Sequence, residues 1–188
     1  MPPIDLPPLV SGPVRLRPPT DADAPAVVAA CQDPDIQRFT RVPVPYEDEH
    51  GRDYVRFCQD GLARGTGVHL LAVDAEDRLL GAVGMNVDTV EFAGEIGYWV
   101  APAARRQGVA LRGCQLLLLF AFERLELGYV ELHAAVTNPA SNGLARRLGF
   151  TLEGTQRQAM LDGPSGDRSA PRCDANVWGL LPHEFRVT

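Results

Sequence analysis

The chain has 188 residues, 45% hydrophobic and 22% charged, enough for one domain with a substantial core. Net charge is −6 and Lys is absent, all 18 basic residues being Arg, which argues against a nucleic-acid binder and mildly favours a cationic substrate, with plain solubility as the simpler explanation. The longest apolar run, Leu116 to Phe122, is far shorter than the ~20 residues a membrane span needs, and the Pro-rich start has no signal-peptide core, so a reducing cytoplasm and no membrane are expected.

Residues 1–13 hold five Pro and no periodic pattern, and read as an extended arm ahead of a single domain over 14–188. Val14 to Arg17 alternates like a strand. Thr20 or Asp21 caps a helix to about Gln32, which Asp33-Pro34 stops. Residues 35–46 read as irregular. In Glu47 to Ala63, Tyr54, Phe57, Cys58 and Leu62 recur at helical spacing, and Gly65 follows as a stop. Val68 to Val73 and Leu79 to Val87 form a hairpin, and Phe92 to Val100 is the next strand. A helix apolar almost all round runs from Gly108 to Leu127, with Gly128 as its C′ residue. Val130 to Thr137 is a strand, Ser141 to Arg147 a short helix ending at Gly149, and Phe150 to Leu161 a strand. A turn-rich linker then leads to the last strand, Asp174 to Leu180. This alternation predicts an α/β (α+β) mixed sheet with helices on both faces.

Cys31, Cys58, Cys114 and Cys173 are widely spaced, with no C-x-x-C and no His at zinc spacing, so no metal is expected. Cys114 reads as a small buried hydrophobe. His50, His69, His133 and His183 form no motif, and His133, mid-strand, reads as a core or sheet-face residue rather than a base.

The informative stretch is Arg105-Arg106-Gln107-Gly108-Val109-Ala110, which follows the strand Glu95-Ile96-Gly97-Tyr98-Trp99-Val100 and opens the long helix. A helix N-terminus has unpartnered N–H groups and the positive end of the macrodipole, Gly108 admits a bulky anion, and the two Arg add charge. The pattern is neither a Walker A loop nor a dinucleotide fingerprint. Together with Asn138-Pro139-Ala140-Ser141-Asn142 and Leu148-Gly149-Phe150, it resembles the GNAT superfamily of acyl-CoA-dependent N-acetyltransferases. More narrowly it resembles the branch of ribosomal-protein N-terminal acetyltransferases, over roughly residues 13–185. Val14 to Asp23 fits that branch's first strand and helix, and Asp174 to Leu181 its last strand.

The resemblance implies a central sheet of about seven strands, mostly antiparallel, with one splayed pair. It implies acetyl-CoA as co-substrate and a primary amine as acceptor, on a protein N-terminus or a small molecule. It also leaves a homodimer open. The N–H groups of Gln107, Gly108, Val109 and Ala110 would cradle the pyrophosphate, with Arg105 or Arg106 adding a contact or simply lying in solvent. Trp99 and Val100 would offer backbone groups to the pantetheine, unless Trp99 is merely core. Glu95 would take the amine's proton, or is a solvent-facing strand carboxylate; Glu91 is a looser alternative. Asn138 would bond a pantetheine amide. Ser141 would reach the sulfur, or caps its helix, or both. Many members carry an acidic Tyr four residues before the Gly-Phe pair, where this chain has Ala145. Ser141 would then be the acid, or the thiolate leaves unaided. An intact Glu95, Asn138 and Ser141 favour an enzyme over a non-catalytic acyl-CoA-binding or sensor module. Acceptor loops in that branch would lie around residues 34–46 and 158–172, and Asp162, Asp167 and Asp174 near the second again favour a cationic acceptor.

Overall fold

The computed structural model describes residues 2–187. Strands β1 (Leu9–Ser11), β2 (Val14–Arg17), β3 (Gly67–Val73), β4 (Leu79–Asp88), β5 (Ala93–Val100), β6 (Tyr129–Ala135), β7 (Thr151–Leu161) and β8 (Arg172–Leu180) form one eight-stranded sheet in the order β1-β2-β3-β4-β5-β6-β8-β7. Every neighbouring pair is antiparallel except β5 with β6. The strand beyond the expected seven is β1, which lies inside the Pro-rich arm. Pro7 and Pro8 precede it rather than interrupt it, so Leu9 to Ser11 can pair with β2. Leu9 is buried, Ile4 and Leu6 pack on the core, and the Ile4 N–H donates to the Leu62 carbonyl at 2.9 Å.

Five helices cover the sheet: α1 (Ala24–Ala30), α2 (Pro34–Phe39), α3 (Asp48–Arg64), α4 (Val109–Glu123) and α5 (Pro139–Leu148). The larger core lies under α4 and α5, where Leu117, Leu118, Ala145 and Leu148 meet Leu70, Met85, Ile96, Leu132 and Trp178. A smaller one on the other face joins Val27, Cys31, Ile36 and Tyr46 to Leu71, Val73 and Ala82, with Trp99 packed against it. All four cysteines are buried and free. Among the described residues no helix is long and apolar enough to cross a membrane, and no cluster of three or more His, Cys, Asp or Glu is placed to hold a metal ion.

Three local expectations are corrected. The helix from Thr20 begins as a 3-10 turn, Asp21–Asp23, before α1, and ends at Ala30 rather than Gln32. Residues 35–46 are not all irregular, because Asp33-Pro34 ends α1's path and also starts α2. The Asp33 carboxylate accepts from the N–H groups of Asp35 and Ile36, and Pro34 occupies the first turn, where no donor is needed. Finally, α4 stops at Glu123. Glu126 takes the left-handed turn (φ 52°) and buried Leu127 enters the core, so Gly128 is not the C′ residue but donates its N–H to the Phe92 carbonyl at 2.8 Å.

Arg17 anchors β2 to the 3-10 turn through bonds of 2.8 and 2.7 Å to both Asp23 oxygens. These bonds hold the Asp23 carboxyl down at about 2, from 3.8. A lowered carboxylate stabilises the fold above its unfolded value and loses that contribution as pH falls through the folded one, contributing here about 2 kcal/mol at neutral pH. Asp23→Asn is therefore expected to lower Tm by about 5 °C at pH 7. It should also flatten the loss of Tm seen on acidification from about pH 4 to pH 2. A variant that melts like the wild type at both ends would show that the pair contributes nothing.

Candidate functional site

The strands β5 and β6 pair in parallel only at Ala93–Tyr129, Gly94–Val130 and Glu95–Glu131. Beyond Glu95, β5 continues to Val100 along β4, and β6 continues to Ala135 along β8. A wedge therefore opens between them, with strand edges on both sides. The Ala101 N–H donates to the Leu80 carbonyl at 2.9 Å, so by alternation the backbone groups of Trp99 face β4 and those of Tyr98 and Val100 face the wedge. Of the two residues expected to offer backbone groups, Val100 lines the opening and Trp99 does not.

The wedge ends at the loop into α4. Arg106 (φ 63°) and Gly108 (φ 77°) turn the chain so that Gly108 stands at the N-cap position, ahead of Val109 and Ala110. Gly108 is exposed, and a Cβ there would meet only Arg112 Nε at 3.8 Å. The concave side of the turn is thus open in front of the first free N–H groups of a 15-residue helix. Gln107 turns its amide back to donate to the Ala103 carbonyl. Arg106 is exposed. Arg105 is committed elsewhere, to Asp33 and, at 3.3 Å, to Asp35, and so ties this loop to the start of α2.

At the other side of the wedge, Asn138 caps α5, its Oδ1 accepting the Ser141 N–H at 3.0 Å. Ser141 is therefore not the cap, and its hydroxyl is left free to accept from the Tyr98 hydroxyl at 2.9 Å. This bond links β5 to the first turn of α5 across the opening. Burial pushes the Tyr98 hydroxyl well above the ordinary tyrosine range, against the Ser141 bond, so it stays a donor. Behind it, buried Asn142 accepts from Trp178 Nε1 (3.0 Å) and Asn176 (2.8 Å) and donates to the Ala135 and Asn138 carbonyls, fixing α5 against β6 and β8. Neither Tyr98 nor Asn142 stands out in the sequence. The only signal for Tyr98 was its place on the same strand face as Ile96. Ala145 is fully buried core.

On the opposite face Glu95 is half-buried, 3.7 Å from Arg41 Nη2 and in register with Glu131 on β6 and Asn86 on β4. The next residue on that face, Gly97, has no atom within 4 Å of where a Cβ would stand. A groove of about 270 Å³ lined by Arg41, Tyr46, Tyr54 and Phe57 lies beside it on the Arg41 side. Arg38 bonds Asp162 through two nitrogens, and Pro43 bridges Ser165, so the segments expected to face an acceptor are joined to each other. Glu91 is exposed, at the closed end of the β5–β6 pair and away from the wedge.

A family model for the acetyltransferase (GNAT) domain matches residues 14–151. The chain belongs to the GNAT acetyltransferase family. It is 40% identical over 75 residues to YdaF of Bacillus subtilis (strain 168), named as a ribosomal N-acetyltransferase, covering 40% of this chain and 41% of that protein. It is 35% identical over 85 residues to the ribosomal-protein-serine acetyltransferase of Escherichia coli (strain K12), covering 45% and 48%. The chain thus spans less than half the length of the curated relatives it matches. Among solved structures, the ribosomal L7/L12 alpha-N-protein acetyltransferase RimL in complex with coenzyme A superposes with a TM-score of 0.81 at 25% identity, over 93% of this chain and 97% of that one. The GNAT fold expected from the sequence, with its mixed sheet and covering helices, is the fold observed.

Proposed function

We propose that this chain transfers an acetyl group from acetyl-CoA to a primary amine, either a protein N-terminal α-amine or a small-molecule amine, by direct attack in a ternary complex. The observation that carries the reading is the wedge between β5 and β6, which opens directly after Glu95 and Glu131 and runs to the open Gly108 turn. A thioester with a long amide-bearing arm and a pyrophosphate fits that combination of free strand edge and helix N-terminus.

The chain's own groups then divide the work. The N–H groups of Gln107, Gly108, Val109 and Ala110 hold the phosphates, with Arg106 adding charge and Arg105 bracing the loop through Asp33. Backbone groups of Val100, and the Asn138 amide not used in capping, take the arm. Trp99 supports the strand from the smaller core. Glu95 draws in the ammonium and accepts a proton, the amine nitrogen forms its bond to the acyl carbon, and the carbon–sulfur bond breaks as the nitrogen gives up its second proton. Ser141, backed by Tyr98, supplies a proton to the departing thiolate, in place of the tyrosine that position 145 lacks.

Saturating acetyl-CoA is expected to raise Tm by about 5–10 °C, since ligand at 100-fold its Kd stabilises by about 2.7 kcal/mol. CoA should act similarly, and ATP and NAD should not. Thiol release on adding seryl or alanyl N-terminal peptides or a polyamine would then establish turnover. No shift with either CoA compound would sink the reading, and a shift without turnover would favour the sensor module. Tyr98→Phe should lower kcat about 10-fold while leaving the acetyl-CoA shift in place, because Ser141 loses a hydrogen bond worth about 1 kcal/mol and its proton supply. Unchanged kcat in that variant would mean the thiolate leaves without Tyr98.

A further inference from the structure

The overall reaction of an ammonium with a thioester removes two protons from nitrogen: one is released and one ends on sulfur. One carboxylate, Glu95, does not account for both. We propose that His133, oriented by Glu131, is a second proton acceptor for the attacking amine. The inference rests on the acetyltransferase reading above.

The placement comes from register. Val130, Leu132 and Ala134 of β6 enter the larger core, so Glu131 and His133 lie on the opposite face of the sheet. That is the face carrying Glu95 and Gly97, since Ile96 between them is also in the larger core. Glu95 and Glu131 stand side by side in the last pair before the wedge. One strand step of ~6.6 Å further on, Gly97 and His133 stand on either side of the opening. The space over Gly97 is empty, so a group seated there is flanked by Glu95 along its own strand and by His133 across the wedge.

The ring itself is unusual. Nε2 lies 3.3 Å from Glu131 Oε2, yet it is buried and out of line for a hydrogen bond, and has no other partner among the described residues. A buried nitrogen without a partner costs stability, and such groups are kept where chemistry uses them. With Nε2 turned to the carboxylate, Nδ1 is the nitrogen left to take a proton. His133 faces Glu131 on its own strand, and β5 across the wedge carries Glu95, which pairs with Arg41. Its register partner on β8 is Val177, which is neutral.

The step balances. Glu95 takes the first proton from the ammonium and passes it to solvent. The nitrogen lone pair bonds the acyl carbon, His133 Nδ1 takes the second proton from that nitrogen, and the carbon–sulfur bond breaks. The thiolate is protonated through Ser141, and the imidazolium returns its proton to solvent.

The test compares wild type, His133→Gln, His133→Leu and Glu131→Gln, using acetyl-CoA and whichever of a seryl peptide, an alanyl peptide or spermidine the wild type turns over. Both His133 variants should lose about 10- to 100-fold in kcat, with acceptor KM and the acetyl-CoA-induced Tm shift unchanged. The Tm of His133→Leu should equal or exceed the wild type's, because the orphaned nitrogen is gone. The pH profile of kcat should change in both His133 variants and in Glu131→Gln. A merely structural histidine would give the reverse, a lowered Tm with an unaltered pH profile. If kcat stays within threefold of wild type and the profile is unchanged, the proposal is overturned while the acetyltransferase reading stands. Binding of acetyl-CoA with no turnover of any amine by the wild type would overturn both.

Discussion

Gly108→Glu should abolish acetyl-CoA binding, by about 100-fold or more, while the protein stays folded. A factor of 100 corresponds to about 2.7 kcal/mol, a modest demand on a carboxylate placed where a pyrophosphate should sit. The structure separates two effects of the change. Gly108 adopts φ 77°, so any L side chain there carries about 1–2 kcal/mol of strain. The space around it is nevertheless free, Arg112 Nε at 3.8 Å being the nearest neighbour of a Cβ, so nothing in the core has to move. Gly108→Ala therefore serves as the control for strain alone: a Tm lower by a few degrees, with most of the ligand-induced shift kept. Calorimetric titration of both variants with acetyl-CoA checks the pair. Wild-type affinity in Gly108→Glu would remove the turn from the donor site and leave the wedge without its phosphate end.

Glu95→Gln should cut kcat about 100-fold with donor affinity unchanged, the lower range for loss of a general base. It should also raise KM for a cationic acceptor, because Glu95 and Glu131 sit in register as adjacent carboxylates, with Arg41 3.7 Å from Glu95. The Arg41 side chain is 79% exposed, so this ion pair is weak and an arriving ammonium can replace it. Arg41→Ala is accordingly expected to leave kcat near wild type and to lower acceptor KM. Steady-state kinetics at fixed saturating acetyl-CoA measures all of these. If Glu95→Gln keeps the wild-type kcat, the first proton leaves through bulk water or another group.

Each of these expectations uses a different physical relation between side chain and backbone. Gly108 acts by having no side chain at all. Glu95 acts through where strand alternation points it. The Tyr98–Ser141 bond joins β5 to the start of α5. The loop before α4 and helix α2 are further joined by Arg105 and Asp33, and α2 is joined to the β7–β8 connection by Arg38 and Asp162. The loop before α4 and the β7–β8 connection are thus both tied to one short helix.

Much of this was legible in the chain alone, because it depends on neighbours in sequence. Arg-Arg-Gln-Gly after a strand and ahead of an apolar helix reads as the turn into a helix N-terminus, and period-two alternation places Glu95 and Gly97 on one face and Tyr98 on the other. Strand and helix positions followed from the same short-range periodicities. The tertiary structure decided what depends on residues far apart in sequence. Leu9 to Ser11 became a strand only because β2 offered an edge, and α4 stopped at Glu123 because Leu127 is drawn into the core. Asn138 rather than Ser141 capped α5, which left the Ser141 hydroxyl for Tyr98, 43 positions away. Arg105 turned to Asp33, 72 positions away. The parallel pairing of β5 with β6 stops after Glu95 and Glu131, and that single register places His133 across the wedge from Gly97. Local sequence sets the direction in which each backbone and side chain points, whereas long-range strand register and packing determine what each one meets.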